Sequence, residues 1–92
     1  MSRVKVTVTP LDIALGHAVN SQSCPVARAL QRVMHDAEWR VYEVYATKHF
    51  TGVPVKLPRS VSRFVRAFDT HGAVKPFAFF FDPEARYNPK KA

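Results

Sequence analysis

Between Pro58 and Gly72 the apolar residues Val61, Phe64, Val65 and Phe68 fall three and four positions apart, and Arg59, Arg63 and Arg66 take the opposite side. That spacing gathers the apolar four on one stripe and predicts an amphipathic helix across the segment. Such a helix must cover an apolar surface, and its neighbours supply strands for it to cover. Val53, Val55 and Leu57 alternate before it, and Phe77, Phe79 and Phe81 alternate after it with Ala78 and Phe80. Phe77, Phe79 and Phe81 are expected in the core, with Phe80 on the opposite face.

The first half of the chain has the same vocabulary. Val4, Val6 and Val8 alternate with Arg3, Lys5 and Thr7 in a half-buried strand. Thr9-Pro10-Leu11-Asp12 reads as a helix start, with Thr9 as cap, Pro10 at the first helical position and Asp12 as the capping-box acid. Gly16 ends this helix after little more than a turn. Ser23 is expected to cap a second helix with Pro25 in its first turn. Val26, Leu30 and Val33, helped by Ala29, form its apolar face, and Arg28, Arg32 and His35 form the other. Glu38 to Ala46 reads as one strand, with Trp39, Val41 and Tyr45 on one side and Tyr42 and Val44 on the other. The order is β-α-β-β-α-β with the first helical segment split. The expectation is a small α+β domain over residues 1–92, with a folded core at 3–82 and a polar, flexible tail at 83–92. A ferredoxin-like two-layer sandwich accepts that order.

Little in the sequence points to catalysis. Ninety-two residues suit one domain. An apolar fraction of 47% with 23% charged residues is that of a globular chain, which argues against global disorder. The single cysteine leaves no partner for an intramolecular disulfide and fits a reducing compartment. No apolar run reaches the length of a signal peptide or a membrane span, so a cytoplasmic protein is expected. His17, His35, His49 and His71 lie far apart, the acids are scattered, and Gly16, Gly52 and Gly72 each stand alone at turns. These patterns give no metal site, no paired carboxylates and no phosphate-binding glycine loop. Cys24 sits at a helix start, where a thiol's pKa can be lowered. It has no base at a recognisable spacing, however, and reads as a small core residue. The expectation is a non-enzymatic protein without catalytic residue, metal or cofactor.

Charge is the more informative property. Fourteen Lys and Arg against seven Asp and Glu give +7, with an isoelectric point near 10.1. So basic a chain favours a polyanionic partner, although basicity also serves solubility alone. Arg28, Arg32 and His35 on one helix, with Arg59, Arg63 and Arg66 on the other, form two stripes almost free of acids. In a two-helix-on-sheet layout they would join into one patch contacting phosphates or carboxylates. The alternative is that they are the solvated faces of two amphipathic helices. The expected partner is therefore nucleic acid or an acidic protein or nucleoprotein surface, and not a membrane; oligomeric state leaves no sign in the sequence. A second reading is a protein-directed inhibitor of host or defence machinery, in the style of an anti-CRISPR protein. That protein would use Trp39, Tyr42 and Tyr45 as contact residues. Lys75 to Phe81 has the basic start and alternating aromatics of the RNP1 strand of RNA-recognition motifs. It carries Pro76 at the glycine position, Asp82 at the final aromatic and the wrong strand order, so it is not assigned to that motif.

Three segments together resemble a scattered group of short proteins from bacteriophages and bacterial mobile elements: Asp12-Ile13, Cys24-Pro25-Val26-Ala27 with Ala29, and Phe68-Asp69 followed by Pro76-Phe77-Ala78-Phe79. The likeness runs from about Val4 to Phe81. It implies a phage-like context, in which compact proteins often act by binding host machinery, and it assigns a role to no residue.

Overall fold

In the computed structural model, which describes residues 3–18, 20, 22–35, 38–48 and 52–88, the chain runs through eight elements. They are β1 (Val4–Val8), α1 (Pro10–Leu15), α2 (Pro25–Val33), β2 (Trp39–Val41), β3 (Tyr45–Lys48), β4 (Pro54–Lys56), α3 (Arg59–His71) and β5 (Phe77–Phe81).

The helix ends follow local chemistry. The Asp12 amide donates to Thr9 Oγ1 at 3.1 Å and the Thr9 amide to Asp12 Oδ2 at 2.9 Å, so α1 opens on a complete capping box. The cap of α2 lies one residue beyond the expected Ser23. Cys24 Sγ accepts the Ala27 amide at 3.4 Å, and Pro25 takes the first helical position. Ser23 instead belongs to a turn closed by Asn20, whose Oδ1 accepts the Gln22 and Ser23 amides at 3.0 and 3.1 Å. α3 stops where expected, at Gly72, whose φ of 71° is left-handed and whose amide returns to Ala67 and Phe68.

The class is α+β, as expected. Among the described residues, however, the strands form two antiparallel sheets, β1–β5 and β2–β3–β4, instead of one four-stranded ferredoxin-like sheet. First and last strands are neighbours, with Val6 opposite Phe79. The difference arises at Glu38 to Ala46, which is two strands. The chain reverses at Glu43 and Val44, and the Tyr42 amide donates to the Tyr45 carbonyl at 2.8 Å. Hairpin turns this tight usually carry Gly, Asn or Asp. None stands here, which is why the run reads as continuous.

The sheets are joined through the segment after β5. A turn at Asp82 to Ala85 brings Arg86 opposite Val55. The Lys56 amide donates to the Ala85 carbonyl at 2.7 Å and the Tyr87 amide to the Pro54 carbonyl at 3.1 Å. Part of the segment expected to be a flexible tail is therefore paired along β4; residues 89–92 lie outside the described residues.

One buried cluster underlies both sheets, with Val6, Val8, Val26, Leu30, Trp39, Val61 and Phe81 among its fully or almost fully enclosed members. α2 packs on β1 and β2, and α1 on α2. α3 reaches β5 through Phe64 and Phe77, whose rings stack at 4.7 Å. Phe79 and Phe81 are buried and Phe77 partly so, while Phe80 is exposed. Among the described residues no helix is long and apolar enough to cross a membrane.

Candidate nucleic-acid interface

The two arginine stripes differ in what they face. Arg32 clamps Asp12 with both ends of its guanidinium, Nη1 to Oδ1 at 2.7 Å and Nη2 to Oδ2 at 2.8 Å, and Nη2 also donates to the Thr7 carbonyl at 2.9 Å. Arg28 Nε lies 3.7 Å from the same carboxylate. Asp12 is almost wholly enclosed, at 1% exposure. Burial pushes its pKa up, but the Arg32 hydrogen bonds and the Thr9 amide outweigh it and hold the carboxyl below its ordinary value. Arg28 and Arg32 therefore tie α2 to α1 and β1. His35 is exposed just beyond α2.

On α3, Arg59, Arg63 and Arg66 are exposed, and Arg66 Nε reaches Glu43 Oε2 only at 4.0 Å, both side chains being well solvated. A pair of that kind contributes little. The stripes do not share a groove: Arg28 and Arg32 line one with Gln22, Ser23 and Gln31, whereas Arg59 lines one with Lys56 and Arg86.

Of the three aromatic residues expected at a contact surface, Trp39 is a core residue. It is 1% exposed and meets Phe81 edge-on at 5.2 Å. The parity of an unbroken strand put Tyr45 on its face, but the turn at Glu43 and Val44 moves Tyr45 to the other one. Tyr42 and Tyr45 follow the register that sets Val41 opposite Ala46 and Arg40 opposite Thr47. They therefore lie across from each other on the outer face, and their rings stack at 4.9 Å and 26°. Tyr87, which sequence reasoning left in the tail, extends the array: it stacks on Tyr45 at 5.2 Å and 18°. Its backbone amide donates to the Pro54 carbonyl at 3.1 Å. Its sequence signal is weak: Arg86 and Tyr87 are adjacent, without the two-residue spacing of Arg40 and Tyr42.

This stack forms part of a groove of about 610 Å³ lined by Arg40, Tyr42, Tyr45, Thr47, Lys48, Gly52, Pro54 and Tyr87. Its described lining includes two cationic residues and no carboxylate. The rings are set on a sheet beside Arg40, while Lys48 borders the groove with its ammonium 5.6 Å over the enclosed Trp39 ring; such a surface suits planar, negatively charged ligands.

Cys24 does not have the setting of an activated nucleophile. It is 3% exposed, and burial pushes its thiol pKa up against the opposing pull of the helix amides. Among the described residues no group of His, Cys, Asp and Glu is placed to hold a metal ion. No family model, no curated protein and no solved structure matches this chain.

Proposed function

We propose that this chain is a non-enzymatic binding protein for single-stranded nucleic acid, and that the outer face of the β2–β3–β4 sheet is its contact surface. The observation that carries this reading is the three-tyrosine stack, Tyr42–Tyr45–Tyr87, in a groove with Arg40 and, among the described residues, without a carboxylate. Unpaired bases extend such a stack, whereas the bases of a duplex are already stacked on each other. The +7 net charge draws the phosphate backbone in at long range. Relative to the expectation from sequence, the surface moves from the helix stripes to the sheet, because Arg28 and Arg32 hold Asp12 and Trp39 is enclosed.

Fluorescence anisotropy of labelled single-stranded DNA, single-stranded RNA and duplex DNA, at low and physiological salt, tests it. Single strands are expected to bind more tightly than duplex, with affinity falling steeply as salt rises. Tyr87→Ala should weaken binding by about 1–3 kcal/mol, the range for a base–aromatic stack, and Tyr45→Ala should weaken it too, by removing the ring on which Tyr87 is stacked. Equal affinity for duplex and single strand, undisturbed by either tyrosine variant, would remove the sheet face from consideration. Absence of binding at low salt would redirect attention to a protein partner.

A further inference from the structure

We infer that the bound strand leaves the tyrosine stack at its Tyr87 end, and that the groove there holds a backbone phosphate with Lys56, Arg59 and Arg86. In a stack of three rings the middle one, Tyr45, has both faces covered, so only Tyr42 and Tyr87 keep a face for an added base. The two ends differ in charge. The cavity adjoining Tyr42 is lined by Asn20, Cys24, Val41, Glu43, Val65 and Asp69, and its two ionisable carboxylates repel a phosphate. The groove adjoining Tyr87, of about 750 Å³, has Lys56, Arg59 and Arg86 in its lining, together with Ser62 and Asn88, and no acid.

None of those three cationic side chains pairs with a described carboxylate, unlike Arg28 and Arg32, which face Asp12, and Arg66, which faces Glu43. Lys56 and Arg59 set like charges along this groove, with Arg86 at its margin opposite Val55, and an anion placed there offsets their repulsion. Lys56 links the subsite to the stack, because it lies directly opposite Tyr45 in the sheet register. A base laid on the open face of Tyr87 therefore has its phosphodiester beside Lys56 and Arg59, with Arg86 at the groove margin, and one laid on Tyr42 does not. This subsite rests on the single-strand reading above and gives the strand its path across the surface.

The test uses the full chain and a labelled oligothymidylate of about eight nucleotides, within the span that single-strand binding surfaces cover. Binding is followed over a salt series for the wild type, for Arg59→Gln/Arg86→Gln, and for Arg63→Gln/Lys75→Gln. The last pair removes the same charge from exposed positions that line neither groove. A lost phosphate contact lowers the slope of log affinity against log salt by about 0.7 on a single strand. The groove variant is expected to lose about 1–1.4 of slope and at least about tenfold in affinity at low salt, while tyrosine fluorescence is still quenched at saturation. The matched control should retain its slope. If the wild type binds and both variants behave alike, the subsite is overturned and the tyrosine reading stands. If the wild type does not bind at low salt, both fall. Displacement by inorganic phosphate at constant ionic strength would assign the groove to a free anion and overturn the backbone subsite.

Discussion

Asp12 receives the Thr9 amide and both ends of the Arg32 guanidinium while almost none of its surface meets solvent, whereas Arg32 keeps about half of its side chain exposed, at 47%. The two partners are therefore unequal under mutation. Arg32→Ala leaves a buried carboxylate with the Thr9 amide and a distant Arg28, and should cost about 2–3 kcal/mol, at or just below the range for an orphaned buried charge. Asp12→Asn keeps an acceptor for the capping box and leaves a cation that water can solvate, so about 1–2 kcal/mol is expected. Urea unfolding at neutral pH separates the two values. The folded Asp12 pKa lies below its ordinary 3.8, so the carboxylate's contribution is complete above that value and is lost as pH falls through the lowered one. The stability gap between wild type and Asp12→Asn should stay constant down to about pH 4 and close below it. A gap that closed near neutrality would contradict the buried pair. The sequence shows the capping box because its partners are three residues apart. It hides the Arg32 clamp because the acid stands twenty positions away on another helix, so the basic face of α2 reads as free of acids.

At the scale of elements, α3 was legible because its stripe, its stop at Gly72 and its arginine face all agree. The β2–β3 hairpin was not, since Glu43 and Val44 carry none of the usual turn residues, and the missed reversal put Tyr45 on the wrong face. Two glycines that look alike in sequence do different things. At Gly72 the backbone is left-handed and an added Cβ would meet nothing within 4 Å. At Gly16 φ is −75°, which any residue adopts, but an added Cβ would lie 2.7 Å from Pro25 Cδ and 2.8 Å from the Asp12 carbonyl oxygen. Gly72→Asn should therefore cost well under about 1 kcal/mol, because Asn tolerates the left-handed region. Gly16→Asn should cost about 1–3 kcal/mol, since the proline that opens α2 and the end of α1 must separate. Thermal unfolding of the two variants checks the contrast, and equal losses would mean that the α1–α2 junction is looser than these distances imply.

Across the whole molecule, the segment after β5 is what makes two sheets act as one body. β1–β5 and β2–β3–β4 share a core through Trp39 and Phe81, and Ala85 to Tyr87, running on from β5, pairs along β4. That same segment supplies Tyr87 to the stack and Arg86 to the neighbouring groove, so structure and proposed binding depend on residues that composition alone assigns to a tail. A chain ending at Pro83 loses the two backbone hydrogen bonds to β4, each worth about 1 kcal/mol, and one ring stack worth about 0.5–1.5 kcal/mol. For a domain of this size a loss of about 2.5–3.5 kcal/mol lowers Tm by about 10–28 °C. Tyr87→Ala in the full chain removes only the ring and should lower Tm by about 2–12 °C on the same scale. The two variants should be alike in failing to quench tyrosine fluorescence with an oligonucleotide at the Tyr87 end, yet differ in Tm. A truncated chain that unfolds at the wild-type temperature would show that the segment is not part of the cooperative fold. Equal Tm values for the two variants would place its whole contribution in the tyrosine ring instead of the backbone pairing with β4.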